Sequence, residues 1–177
     1  MRLLAISGSL RARSATGAVL RSALDLWQGP TGAAALDQLP PFNPDLDGEE
    51  AVPPPPVAVL RTAVAAADAV LLVSPEYAAG PPGALKNALD WLVSSGEFVD
   101  RPTAVVTASP FPAGGDLANA QLRGTLRKMS ADLVEASCRE IGAVTRRLTP
   151  AGDRVADEAT LADLREALRL LALAATG

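Results

Sequence analysis

Five apolar residues in a row, Ala69-Val70-Leu71-Leu72-Val73, constrain this chain more than any other stretch. A strand with one wet face alternates. An unbroken run this short needs cover on both faces, as in a parallel sheet held between two helix layers. Ser74-Pro75 ends the strand, because proline brings no N–H to a ladder and restricts the residue before it. Glu76 and Tyr77 then fall in a loop just past the carboxyl end of the strand. In open α/β sheets that is the edge where ligands bind. Pro82 suits the first turn of a helix, and Gly83 to about Ser94 reads as that helix.

On a helical wheel Trp91, Ala84, Ala88, Leu92, Leu85, Leu89 and Val93 form one apolar arc, and Lys86, Asp90, Ser94 and Asn87 fill the rest. The arc takes roughly half the circumference, more than a helix that only covers a sheet needs. Its surplus around Trp91 calls for a further partner. A second subunit would give a homodimer or a dimer of dimers through this helix; a neighbouring helix of the same chain is the other reading.

The remaining sequence alternates in the same way. Leu3 to Ser7 reads as a first strand. A helix follows from Ser14, with Leu20, Ala23, Leu24 and Trp27 at i, i+3, i+4 and i+7. Gly32 to Leu36 is a weak second strand, and the prolines from Pro53 to Pro56 enter stiffly into a helix carrying Val57, Leu60, Val64 and Ala67. Thr103 to Thr107 makes a fourth strand, followed by a loop with Ser109, Phe111, Gly114 and Gly115 and a helix with Ala118, Leu122, Leu126 and Met129. Leu133 to Ala136 is read as a fifth strand, and a last helix follows Asp157. Five βα units predict an α/β three-layer sandwich with a five-stranded parallel sheet in the order 2-1-3-4-5, forming one domain over residues 1–177.

Histidine is absent from the 177 residues. That removes Ser-His-Asp hydrolases, Cys-His proteases and histidine-ligated metal centres. Cys138 is the only cysteine, so it can form neither an intrachain disulfide nor a thiolate cluster, and it reads as a small buried apolar residue. Chemistry must then rest on carboxylates, on another nucleophile or on a cofactor, the cofactor being the strongest option. A net charge of −4 argues against a general nucleic-acid binder, and no apolar run is long enough to span a membrane. Met1-Arg2 passes directly into the first strand without a signal segment, so a cytoplasmic protein is expected. Asp45, Asp47, Glu49 and Glu50 lack the spacing of a calcium loop, and no metal is assigned.

Between the first strand and the first helix, Ser7-Gly8-Ser9-Leu10-Arg11-Ala12-Arg13-Ser14-Ala15-Thr16-Gly17 gathers hydroxyls, two arginines and two glycines. A helix N-terminus offers unpaired N–H groups and partial positive charge, short hydroxyls add donors, and arginine adds a charged fork. The stretch matches neither G-x-G-x-x-G nor G-x-x-x-x-G-K-[ST], so it suits the single terminal phosphate of a mononucleotide such as FMN. An ordinary βα turn in which Ser14 merely caps the helix stays open beside that reading. Of six aromatic residues, Phe42, Tyr77 and Phe111 lie in loops after strands two, three and four, at the edge where a flat cofactor would bind.

Gly-Ser-Leu-Arg-x-x-Ser at 8–14, with Ser-Pro-Glu-Tyr and Pro-Gly-x-Leu-Lys-Asn-Ala-Leu-Asp-Trp-Leu at 74–92, closely resembles the NADPH-dependent FMN reductase family. These are flavodoxin-like flavoproteins that include quinone, chromate and azo-compound reductases. The resemblance extends from the first strand through Gly114-Gly115 to Gln121-Leu122-Arg123. It implies that Ser9, Arg11, Ser14 and Thr16 surround an FMN phosphate. It also implies that Pro75, Glu76 and Tyr77 lie along the ring, Glu76 held mainly by backbone contacts, with Ser109, Gly114 and Gly115 closing the other side. The chain departs from the family at Thr16 and Ala78, where asparagine is usual.

The function so implied is NAD(P)H-dependent reduction, through FMN, of small acceptors such as quinones, azo compounds, chromate or free flavin. Donor and acceptor would use one face of the ring in turn, and no side-chain acid or base would be required. Two alternatives remain: an FMN-binding electron carrier without nicotinamide turnover, and a family member with weakened flavin binding.

Overall fold

The computed structural model describes residues 1–48 and 51–177, so Glu49 and Glu50 of the acidic stretch lie outside the described residues. Strands β1 (Leu3–Ser7), β2 (Thr31–Ala34), β3 (Ala69–Ser74) and β4 (Pro102–Ala108) alternate with helices α1 (Ala15–Leu26), α2 (Pro55–Ala65), α3 (Gly83–Asp90) and α4 (Asp116–Lys128). The sheet is parallel in the order β2-β1-β3-β4-β5, with β5 at Asp132–Leu133, and α5 (Glu158–Ala174) closes the chain. It is the flavodoxin-like order expected from the sequence.

Strand periodicity divides the core. Leu3, Ala5, Leu71, Val73 and Val106 face α1 and α5, where Val19, Ala23, Leu164, Leu168 and Leu171 meet them. Leu4, Ile6, Val70, Leu72 and Val105 face the opposite layer and pack on Leu60, Val64, Leu85, Leu89, Leu122 and Leu126. All six residues of β3 are buried. The unalternating run is therefore the middle of a doubly covered sheet.

Helix boundaries follow the local chemistry. The Ser14 hydroxyl accepts from Gly17 N–H (2.9 Å) and caps α1. Asp157 does the same for α5 through Thr160 N–H (2.9 Å). In α2, Pro55 and Pro56 occupy the first turn, where their missing N–H groups leave no intrahelical bond unmade.

Two elements differ from expectation. Helix α3 stops at Asp90 rather than near Ser94, and the chain runs on in turns. The part of the apolar arc around Trp91 is nevertheless satisfied inside the chain. Trp91 is fully buried; its Nε1–H donates to Pro40 C=O (2.9 Å), and Phe42 meets it edge to face at 5.1 Å. Asn87 fastens the same loop, donating to Pro40 C=O (3.0 Å) and accepting from Phe42 N–H (2.7 Å). The 40–42 loop is thus the partner the surplus arc required, and the argument for a subunit interface at Trp91 loses its premise. Phe42 is a plug over Trp91.

The expected fifth strand at Leu133 to Ala136 is instead a broken one. It comprises β5 (Asp132–Leu133), a single turn over Glu135–Ser137, and β6 (Arg139–Ile141). Both pieces pair with the same edge of β4. The break leaves Val105 N–H without a backbone acceptor, and the Cys138 thiol takes it at 3.4 Å. Cys138 is therefore more than apolar filler. Burial pushes its thiol pKa up, which keeps the sulfur protonated and neutral at that position. Replacing it with alanine orphans the N–H; Cys138→Ala should cost about 1 kcal/mol in denaturant titrations, and Cys138→Ser should recover most of it.

Candidate functional site

Four loops at the carboxyl ends of the strands enclose a cleft of about 710 Å³, within the size range of cofactor sites. The first is the turn from β1 into α1, which contributes Ser9, Arg11, Arg13, Ser14, Ala15 and Thr16. Ser9, Ser14 and Thr16 are almost wholly buried, whereas Arg11 and Arg13 are exposed. The first intrahelical bond runs from Ala18 N–H to Ser14 C=O (3.0 Å), so Ala15 and Thr16 N–H precede it and have no helical acceptor. Ser9 and Ser14 hydroxyls accept from Arg11 N–H (3.3 Å) and Gly17 N–H (2.9 Å), leaving their own O–H groups to donate. Among the described residues, Thr16 Oγ makes no hydrogen bond although Thr16 is 3% exposed. That hydroxyl opens on the cleft beside two spare N–H groups and the Arg11 fork, a donor set that fits a phosphate. The capping role of Ser14 is realised, and its own O–H stays free to donate into the cleft.

The second loop follows β3 and contributes Pro75, Glu76, Tyr77 and Ala78. It is fastened to α4 at two points. Glu76 Oε2 accepts from Ala118 N–H (3.0 Å) in the first turn of that helix, and Gln121 Nε2 donates to Ala79 C=O (2.8 Å). The Glu76 side chain is thus engaged as a helix cap, a contact beyond the backbone-held position expected from the sequence. Its carboxylate answers the positive end of α4, which starts at Gly115 with no side-chain cap of its own. Tyr77 and Gly80 exchange both backbone hydrogen bonds (2.8 and 3.1 Å) around Ala78 and Ala79, whose φ values are 49° and 62°. Two alanines occupy a turn in which glycine or asparagine rests without strain. Ala79→Gly should therefore raise stability by about 1 kcal/mol, read as an increased melting temperature.

The third loop follows β4 and contributes Ser109, Pro110 and Phe111. Gly114 and Gly115, expected to close the ring site, do not line the cleft; they stand behind it. A Cβ on Gly114 would press on the Glu140 and Ile141 backbone at 2.8 and 3.0 Å, and one on Gly115 would meet Thr107 and Glu76 at 3.3 and 3.4 Å. With φ of 69° and 85°, they turn the chain into α4.

The fourth wall was not found in the sequence. Thr145, Leu148, Ala151 and Gly152 come from the strap between β6 and α5. Val144 N–H donates to Ser109 C=O (3.0 Å) and Ala143 N–H to Phe111 C=O (3.1 Å), while Gly142 packs directly on the Pro112 backbone. On its far side the strap is bound to α1. Arg21 Nε donates to Asp153 C=O (3.0 Å), Val155 N–H to Ser22 Oγ (2.9 Å), and Arg154 Nε to Asp25 Oδ2 (2.6 Å). Arg147 is part of this bracing; it donates to Gly142 C=O (2.8 Å) and Thr160 Oγ1 (2.9 Å).

Tyr77 and Phe111 remain half or more exposed at the cleft, at 50% and 72%. They supply flat apolar surface that the fold itself does not cover. Among the described residues no group of three or more His, Cys, Asp or Glu side chains is placed to hold a metal ion, and no helix is long and apolar enough to cross a membrane.

The model of the NADPH-dependent FMN reductase family matches residues 1–141. An NADPH azoreductase of Bacillus sp. (strain OY1-2) is 38% identical over 116 residues, 65% of this chain and 62% of that protein. An NAD(P)H-dependent FMN reductase of Pseudomonas aeruginosa is 37% identical over 132 residues, 71% of this chain and 69% of that protein. In three dimensions the chain is similar to the flavoenzyme NAD(P)H:(acceptor) oxidoreductase FerB of Paracoccus denitrificans, with a TM-score of 0.87 and 26% identity over 99% of this chain and 97% of the other. Of three curated relatives, the chain spans 56%, 62% and 61% of the length.

Proposed function

The chain belongs to the NADPH-dependent FMN reductase family, and on that premise we propose that it is an FMN-containing enzyme that oxidises NADPH or NADH and reduces small acceptors. Quinones and azo compounds lead the list of acceptors, with chromate and free flavin after them. The observation that carries this reading is the cleft at the carboxyl edge of β1, β3 and β4. It has a phosphate-type donor set at one end and open aromatic surface elsewhere on its walls.

FMN, when bound, supplies a ring that takes hydride from the reduced nicotinamide and passes two electrons to the acceptor. The protein's own part is binding and exclusion of water. In this reading Ser9, Arg11, Ser14 and Thr16 hold the phosphate, with the Ala15 and Thr16 N–H groups as further donors. Pro75, Glu76, Tyr77 and Ser109 border the ring, while Gly114 and Gly115 support it from behind. Glu76 is already engaged by Ala118 N–H, and the chain has no histidine, so no side chain is assigned a proton-transfer role. Few directional donors at the open side mean weak discrimination among acceptors.

The test is anaerobic. FMN-loaded protein mixed with NADPH or NADH should lose its yellow absorbance and regain it when a quinone is added. Failure of both nicotinamides to bleach it would overturn the enzyme reading in favour of an electron carrier, and colourless protein that takes up no FMN would overturn the flavin reading itself.

The proposal treats residues 1–177 as one domain and places the protein in the cytoplasm. For assembly, the exposed remainder of the 83–94 segment is Val93 beside Lys86 and Asp90, facing Gly124 and Thr125 of α4 across a groove. A dimer or tetramer through this segment would use that groove and not Trp91. Light scattering at micromolar concentration tests it, a monomer mass being the result against it.

A further inference from the structure

The cleft holds more hydrogen-bond donors than one FMN phosphate requires. Ser9, Ser14 and Thr16 hydroxyls, Ala15 and Thr16 N–H groups and the Arg11 fork already present enough donors to surround a terminal phosphate, at the positive end of a 12-residue helix. Arg13 is left over. It lines the same cleft, is exposed, and makes no hydrogen bond or ion pair among the described residues. The one acidic side chain on the cleft wall, Glu76, is held by the α4 N-terminus. In a chain with net charge −4, an unneutralised guanidinium at a ligand cleft marks a place for a second anion. The wall of that cleft nearest the α1 side includes Ala151 and Gly152 of the strap, and a Cβ on Gly152 would meet nothing within 4 Å. Space and charge therefore occur in one cleft.

Of the two ligands that must use the site in turn, the donor carries phosphate and a quinone does not. We propose that Arg13 is a specificity-determining residue that binds the phosphate-bearing half of the nicotinamide donor, an inference that rests on the reductase reading above. The strap fixes the wall that this half lies against, through its ties from Arg21, Ser22 and Asp25 of α1 to Asp153, Val155 and Arg154.

The test uses FMN-loaded full-length protein and Arg13→Ala. The kcat/KM for NADPH should fall about tenfold or more, the lower end of the scale of a hydrogen bond to a charged group, and its dependence on salt should become shallower. Affinity for NADP⁺, measured by calorimetry, should fall by a similar factor. FMN affinity and kcat/KM for a neutral quinone should stay within about twofold. Arg13→Lys should restore part of the donor affinity. An equal loss with NADH assigns the contact to the pyrophosphate, and a loss confined to NADPH assigns it to the 2′-phosphate; either supports the proposal. Unchanged NADP⁺ affinity overturns it, as does loss of FMN as large as in Arg11→Ala, which would put Arg13 in the FMN phosphate site. Because NADP⁺ binding needs no turnover, these outcomes are separate from failure of the reductase reading, in which neither nicotinamide bleaches the bound flavin.

Discussion

Arg11→Ala should raise the dissociation constant for FMN by ten- to about a hundredfold, equivalent to about 1.5–3 kcal/mol for a hydrogen bond to a charged group. Arg11 is exposed and makes no side-chain contact that supports the fold, its backbone N–H alone bonding to Ser9 Oγ (3.3 Å). The melting temperature without FMN should therefore stay where it is. That separation of binding from stability is the informative part of the result. Quenching of flavin fluorescence on titration measures it, and an unchanged FMN affinity would place the phosphate elsewhere. Thr16→Ala bears on the same site from the buried side. Its hydroxyl has no partner among the described residues although the residue is 3% exposed. Its removal should weaken FMN by a smaller factor and leave the stability of the free protein nearly unchanged, since the hydroxyl supports no contact within the fold.

Gly142→Ala should do the opposite, damaging stability and site together. The added methyl would run into the Pro112 backbone, and backbone cannot swing aside as a flexible side chain can. The strap and the loop after β4 would have to separate, and with them the hydrogen bonds from Ala143 N–H to Phe111 C=O and from Val144 N–H to Ser109 C=O. Overpacking of this kind costs roughly 1–3 kcal/mol. For a chain of this length that corresponds to a fall in melting temperature on the order of 2–4 °C per kcal/mol. FMN binding should weaken at the same time, because Ser109, Phe111, Thr145 and Leu148 share the cleft. A variant that unfolds earlier yet binds FMN as before would show that the strap is not part of the site.

The sequence alone was enough to give the layered α/β architecture, the strand order and the sheet edge at which the cleft opens. Those features follow from local patterns: an apolar run that cannot be half wet, helices with one or more apolar faces, and a handedness rule that limits how parallel strands connect. The β1–α1 turn was legible as a candidate phosphate loop for the same reason, since its hydroxyls, arginines and helix start are neighbours in the chain. Other features required contacts between residues far apart. The cover over Trp91 comes from Pro40 and Phe42, some fifty residues earlier, and no periodicity along 83–94 could distinguish it from a second subunit. The Glu76 carboxylate finds its partner at Ala118. The fourth wall of the cleft comes from Thr145 to Gly152, brought there by bonds to α1 more than a hundred positions back. Periodicity reports which face of an element is apolar. Only the packed structure decides what covers that face and which distant loop completes a cleft.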